Sequence, residues 1–204
     1  MLYKFLSGLA KGVTHCIFRV KVVGKENVPK DGGMILAVNH KSNWDPIFAG
    51  AYCPRPLRFM AKADLFKNKL FGGLIKKLGA FPIQRGRGDI GAIKGAFSIL
   101  KNNDAMLIFP EGHRIKNGKR VKAKLGVSMI AVYAKVPVIP LCISGEYKPF
   151  QKVTVTFGKP ITFEEYYGKK PDNETLQTLA DEVMQTIYSC LLYTSDAADE
   201  ARSV

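Results

Sequence analysis

Met34-Ile35-Leu36-Ala37-Val38, followed at once by Asn39-His40-Lys41-Ser42-Asn43-Trp44-Asp45, is the stretch on which the fold turns. Five consecutive apolar residues, set off by the turn chemistry of Asn27-Val28-Pro29-Lys30-Asp31-Gly32-Gly33, read as a buried strand. A polar segment follows, and a helical pattern starts near Asp45 and runs through residue 52. The same strand signature recurs at residues 57–61, 105–109, 136–143 and 153–157, and residues 18–23 alternate, with Arg19 and Lys21 between apolar neighbours. Helical patterns fall between, at 68–78, 89–100 and 124–135, with a last helix at 173–189 for which Asn173 is the expected N-cap. Strands alternating with helices predict a single α/β domain with a mixed, largely parallel sheet flanked by helices.

Outward from that core, the amino-terminal residues Leu2, Phe5, Leu6, Leu9, Val13, Cys16 and Ile17 recur at steps of three and four, while Lys4, Ser7, Lys11 and Thr14 occupy other faces. Residues 1–17 therefore read as an amphipathic helix with basic flanks. It either lies in a lipid headgroup layer or packs on the domain. The tail from Cys190 to Val204 (Cys-Leu-Leu-Tyr-Thr-Ser-Asp-Ala-Ala-Asp-Glu and onward) reads as translated adapter DNA and is expected to be non-native.

The 204 residues carry 31 Lys+Arg against 17 Asp+Glu, a net charge of +14, and 47% hydrophobic residues. Such a chain has a real core and calls for an anionic partner: nucleic acid, an acidic membrane surface or a phosphorylated small molecule. Four scattered cysteines, Cys16, Cys53, Cys142 and Cys190, carry no metal-ligand spacing, which argues against a disulfide framework and a zinc site. No run reaches the roughly 18 apolar residues of a spanning helix, and no secretory signal pattern opens the chain.

Ligands of open α/β sheets gather at the carboxyl ends of strands. Two unusual polar segments sit there: residues 39–45, and Phe109-Pro110-Glu111-Gly112-His113-Arg114. On a continuous helix His40 and Asp45 would point about 140° apart, and on a strand to opposite faces, so they meet only if the chain turns between them. If they meet, the carboxylate holds one ring nitrogen and leaves the other free to take a proton. Otherwise His40 closes a strand and Asp45 caps a helix, with no link between them. No Gly-x-Ser-x-Gly elbow accompanies the pair, which disfavours a covalent intermediate on Ser42. Phe81-Pro82-Ile83-Gln84-Arg85-Gly86-Arg87-Gly88 and Arg114 present arginines among glycines, suited to phosphate oxygens, and Glu111 could orient one of them. The two prolines of Val136-Pro137-Val138-Ile139-Pro140-Leu141 predict an edge strand or an irregular segment beside a cavity. No phosphate-binding P-loop and no dinucleotide fingerprint occurs.

Together these segments resemble one family, the lysophosphatidic acid (1-acylglycerol-3-phosphate) acyltransferases of glycerolipid synthesis. Asn39-His40-x-Ser42-x-x-Asp45 matches its first motif, and Phe81-Pro82-Ile83-Gln84-Arg85 looks like the second. Phe109-Pro110-Glu111-Gly112-His113-Arg114 matches the third, with His113 where Thr is usual, and residues 136–141 are similar to the fourth. The resemblance spans residues 18–165 and implies an acyltransferase domain over 18–189. It implies that His40, oriented by Asp45, deprotonates the free sn-2 hydroxyl of a lysophospholipid, which attacks an acyl thioester on coenzyme A or acyl carrier protein. Arg85, Glu111, Gly112 and Arg114 would hold the glycerol phosphate, and Val136, Pro137, Val138, Ile139 and Pro140 would border the acyl chain. No metal and no permanently bound cofactor is needed. Backbone N–H groups near Ser42 or Gly112 are candidates for the oxyanion site. The resemblance favours docking of the amino-terminal helix on an anionic membrane, peripheral at the cytoplasmic face, with no nucleic-acid partner. Competing readings are an acyltransferase for another lysolipid, a His/Asp lipid hydrolase, and a non-catalytic basic module.

Overall fold

The structure, a computed structural model, describes residues 2–83, 90–115 and 120–199. In chain order the elements are α1 (Leu2–Ile17), β1 (Arg19–Val23), β2 (Met34–Val38), α2 (Asp45–Tyr52), β3 (Leu57–Lys62), α3 (Lys69–Lys77) and β4 (Ala80–Ile83). There follow α4 (Ile90–Lys101), β5 (Ala105–Ile108), α5 (Gly126–Ala134), β6 (Val138–Ser144), β7 (Lys152–Phe157) and α6 (Asn173–Asp199). The strands form one sheet in the order β1-β7-β6-β2-β5-β3-β4. Its pairs are parallel except β6–β7, so the expected mixed, largely parallel α/β architecture with an amino-terminal helix is present.

Period-two alternation sorts β2 between two cores. Met34, Leu36 and Val38 face α2 and the end of α1, with Phe18, Phe48, Tyr52 and Leu107. Ile35 and Ala37 face α4, α5 and α6, with Leu100, Val127, Ile130 and Val183. A strand covered on both faces has no polar side to show, which is why its sequence is an unbroken apolar run. β4 was not foreseen as a strand: Pro82 and the following arginines make it look like a loop, yet it is a four-residue edge paired with β3. The α6 N-cap is Asp172 rather than Asn173, for Asp172 Oδ1 accepts the Thr175 N–H at 2.8 Å.

Pro137, just before β6, and Pro140, within it, do not mark an edge. β6 lies between β7 and β2 and is buried along residues 138–143. The Ile35 N–H bonds the Pro137 carbonyl, so odd-numbered residues of this strand face β2. Pro140 faces the other way, where its carbonyl accepts the Gly158 N–H at 2.8 Å, between the β7 ladder and an isolated bridge from Val138 to Ile161. The β7 pairing lapses just where a donor is missing.

α1 packs on α2 through its small and polar face. Thr14, fully buried, shares a 2.7 Å hydrogen bond with the Tyr52 hydroxyl, Ser7 donates to the Gly50 and Ala51 carbonyls, and the Tyr3 hydroxyl donates to the Gly50 carbonyl. The apolar stripe points outward: Phe5 is 68% exposed and Leu9 56%, with Leu2 and Val13 beside them. The helix thus packs on the domain through one face and leaves an apolar face in solvent. Among the described residues no helix is long and apolar enough to cross a membrane.

Candidate active site

β6, β2 and β5 are neighbours whose carboxyl ends point the same way, and each is followed by a polar loop. Asn39 continues the β2–β6 pairing with its side chain, whose Oδ1 accepts the Ile143 N–H (2.7 Å) while Nδ2 donates to the Ile143 carbonyl (3.1 Å). This anchors the next residue, His40, at the sheet's end. The chain then turns through residues 41–44 and enters α2, which Pro46 helps start.

That turn brings His40 and Asp45 together. His40 Nδ1 lies 2.9 Å from Asp45 Oδ2, and because a carboxylate only accepts, Nδ1 carries the proton and donates it. The same oxygen accepts the backbone N–H groups of Lys41 (2.6 Å) and Ser42 (2.7 Å). Asp45 therefore reaches back into the loop instead of capping the helix. It is fully buried, so these donors and the His40 ring stand in for solvent around that oxygen. The imidazole is 17% exposed and stacks on Phe109, centroids 4.0 Å apart. Its Nε2 has no hydrogen-bond partner among the described residues, so it is free to accept a proton from a bound molecule.

Tyr147, from the loop after β6, donates its hydroxyl to Asp45 Oδ1. Its ring stacks on Phe48, and Lys41 Nζ sits 4.7 Å from its centroid. Burial and the adjacent Asp45 carboxylate push the Tyr147 phenol far above its ordinary value, so it stays a donor at any working pH. Lys41 also donates to the Gly145 carbonyl at 2.5 Å, and burial lowers the pKa of its ammonium. Nothing in the local sequence marks Tyr147; only the pairing of β6 with β2 delivers it.

The 109–115 loop joins from the end of β5. Glu111 was expected to grip a head group, but it is buried and its Oε2 accepts the His40 backbone N–H at 2.6 Å. The Ile115 N–H donates in return to the His40 carbonyl at 2.7 Å. Glu111 is thus a strap between the two loops. Burial, reinforced by nearby Asp45 and opposed by the His40 N–H, raises its pKa to about 7. Gly112 sits at φ +74°, where an added Cβ would be strained and would meet the Lys124 stem at 3.1 Å, so it serves the turn itself. Arg114 is exposed and donates to Asn43 Oδ1 at 2.8 Å, which brings its guanidinium beside the His40 loop. The Ser42 and Gly112 N–H groups, candidates for the oxyanion site, already donate to Asp45 and to the Phe109 carbonyl. Arg85 lies outside the described residues.

Val136, Pro137, Val138, Ile139 and Pro140 are not near this site. Val138 is level with Ile35 and Pro140 with Ala37, five and three residues short of His40, or about 16 and 10 Å along the strands. Val136 and Val138 pack into the core beneath α5 and α6, and Ile139 into the opposite one. An apolar cavity of about 410 Å³ lies elsewhere, among α1, α2, α3 and the sheet, lined by Tyr3, Leu6, Ile47, Phe59, Phe71 and Leu107 among others. Leu107, which lines the cavity, precedes Phe109, whose ring stacks on His40, by two residues, about 7 Å along the chain direction.

The nucleophiles of a covalent mechanism are poorly placed. Ser42 Oγ accepts the Trp44 N–H at 3.3 Å, and no hydrogen bond joins it to His40 among the described residues. Burial raises the Cys53 and Cys142 thiols to about 11 and about 12. No group of three or more His, Cys, Asp or Glu among the described residues is gathered to hold a metal.

Comparison with known proteins agrees with this geometry. An acyltransferase family model matches residues 19–144. The 1-acyl-sn-glycerol-3-phosphate acyltransferase of Bacillus subtilis is 31% identical over 91% of this chain and 95% of its own length. The protein of that name from Streptococcus pneumoniae is 34% identical over 90% of this chain and 70% of its own. The crystal structure of the 1-acyl-sn-glycerophosphate (LPA) acyltransferase from Thermotoga maritima superposes with a TM-score of 0.70 at 27% identity, covering 90% of this chain and 77% of that one. A loop that turns a histidine onto a buried aspartate at the end of a parallel strand, in a chain this similar to those enzymes, has one explanation: the chain belongs to the acyltransferase family, among the 1-acyl-sn-glycerol-3-phosphate acyltransferases.

Proposed function

We propose that the chain transfers an acyl group from a thioester, carried by coenzyme A or acyl carrier protein, to the free sn-2 hydroxyl of 1-acylglycerol-3-phosphate, giving phosphatidic acid. His40 Nε2 takes the hydroxyl proton as the oxygen attacks the thioester carbonyl carbon. The C–S bond breaks, and the imidazolium returns the proton to the departing thiolate. Asp45 stabilises the imidazolium and fixes the ring, and Tyr147 positions Asp45. The single observation that carries this reading is the His40–Asp45 pair, with its outer nitrogen free at an accessible sheet end.

Arg114, together with Arg85, holds the phosphate of the acceptor; the exposed guanidinium beside the His40 loop supports this. Glu111 sets the backbone of His40 and Gly112 shapes the turn that presents Arg114. The apolar cavity takes an aliphatic chain. Its few polar groups are already paired, as the Tyr3 hydroxyl accepts the Leu57 N–H and Ser7 donates to carbonyls, so its wall presents carbon. The outward apolar stripe of α1, with Lys4 exposed on another face of the helix, rests in the surface of an anionic membrane, where such an acceptor resides.

The test is direct. Purified protein given 1-acylglycerol-3-phosphate and either thioester should form phosphatidic acid, identified by mass, and folded His40→Ala should form none. No product with either donor, or an undiminished rate in the variant, overturns the reading.

A further inference from the structure

Helix α3 has an apolar stripe wider than the domain covers. At about 100° per residue, Leu70, Leu74, Leu78, Phe71 and Ile75 fall within an arc of about 140°, while Lys69 and Lys76 lie on the other side and Lys77 borders the Leu70 edge. The domain holds α3 by Gly72, whose backbone meets Phe66, and by Ile75. The opposite edge of the stripe is in solvent: Leu70 is 90% exposed, with Phe71 and Leu74 nearly half exposed. Between the covered edge and the bare one, Phe71 and Leu78 line the apolar cavity. Tyr3 and Leu6 of α1 line it from across, next to the bare Leu2, Phe5 and Leu9, and the exposed Ile47 of α2 completes the rim.

We propose that α3 is a second membrane contact. Its Leu70–Leu74 edge enters an anionic bilayer beside α1, so that the mouth of the cavity between the two helices opens onto lipid. The charge of the surroundings selects this occupant. Lys69, Lys76 and Lys77 have no acidic partner among the described residues, nor has Lys4, and the whole chain carries +14. A bare leucine edge flanked by uncompensated lysines fits an acidic headgroup layer over acyl chains, as an amphipathic interfacial helix does. The inference rests on the reading that the substrate is taken from a bilayer, and it adds which surface faces that bilayer.

The test uses the full chain and vesicles of phosphatidylcholine with or without phosphatidylglycerol. Neither Leu70 nor Leu74 lines the cavity or the His40 site, so Leu70→Asp/Leu74→Asp should melt like the parent and acylate a soluble short-chain acceptor at the parent rate. Its sedimentation with phosphatidylglycerol vesicles should fall by about tenfold or more. In the parent, amides of residues 69–77 should gain protection from hydrogen exchange when those vesicles are added. Unchanged sedimentation of the variant, or no gain in protection, overturns the proposal. So does a parent dimer that the substitutions convert to a monomer with vesicle binding intact, since a second copy would then cover the face. Failure of the parent to acylate even the soluble acceptor would instead strike the proposed function.

Discussion

The hydroxyl of Tyr147 donates to Oδ1 of Asp45 from 102 positions away in sequence. It occupies the one oxygen that His40, Lys41 and Ser42 leave free, so a fully buried carboxylate is held from both sides. Tyr147→Phe keeps the ring against Phe48 and removes only this donor. We expect kcat to fall by about tenfold with the KM for acceptor nearly unchanged, the cost of one hydrogen bond to a charged group. Steady-state kinetics across pH, with NMR titration of the His40 ring, would check it; equal kcat and an unmoved titration would remove Tyr147 from the site.

Asp45→Asn should be more severe. An amide nitrogen replacing Oδ2 would face two backbone N–H groups, and the other orientation no longer stabilises the imidazolium. A loss of about 10²- to 10⁴-fold in kcat is expected, the range of a general base deprived of its partner. Loss measured against an unchanged melting curve would assign it to chemistry.

Glu111 gives a pH signature. Its folded-state pKa of about 7 lies above the ordinary carboxylate value, so between the two the native protein binds more protons than the unfolded chain. Its contribution to stability is therefore present at low pH, declines as pH rises toward about 7, and is constant beyond. Glu111→Gln keeps an acceptor for the His40 N–H and should flatten this part of the Tm-against-pH curve. An identical slope in the two proteins would show that Glu111 is not its source.

Arg114→Ala should raise the KM for the phosphorylated acceptor by about tenfold and leave kcat near the parent value, the pattern of lost ground-state binding. An acceptor without phosphate should show no difference between the two proteins. Should both acceptors be affected alike, Arg114 holds the His40 loop through Asn43 rather than the substrate.

Deleting α1 would expose Thr14's partner Tyr52 and much of α2, so its lipid role is better probed on the outer face. Phe5→Glu/Leu9→Glu leaves the packed face whole. Vesicle co-sedimentation should drop by about tenfold or more while the melting temperature holds. Retained binding would assign docking to α3 alone.

Much of the fold was legible because burial on both faces of a parallel sheet demands unbroken apolar runs, and Met34–Val38 and Ala105–Ile108 are such runs. Their separation by helical periods sufficed for the α/β order, and the polar residues at their carboxyl ends pointed to His40 and Asp45. Where a local signal had two readings, contacts chose between them. β4 looked like a loop because Pro82 obscures a short edge strand, and Pro140 looked like an edge although the ladder lapses around it. The outward face of α1 was not decided by its periodicity, for a stripe shows which residues lie together but not which side the domain covers.

Sequence alone determined the class of fold, the order of its elements and the two loops from which the site is built, since these follow from patterns a few residues long. Tertiary structure alone decided that Glu111 turns inward to His40, that Tyr147 reaches Asp45, and that the apolar cavity opens between α1 and α3 rather than beside Val136–Pro140. Each of these depends on strands and helices distant in the chain lying side by side, and a hydrogen bond between such residues leaves no trace in the composition of either segment.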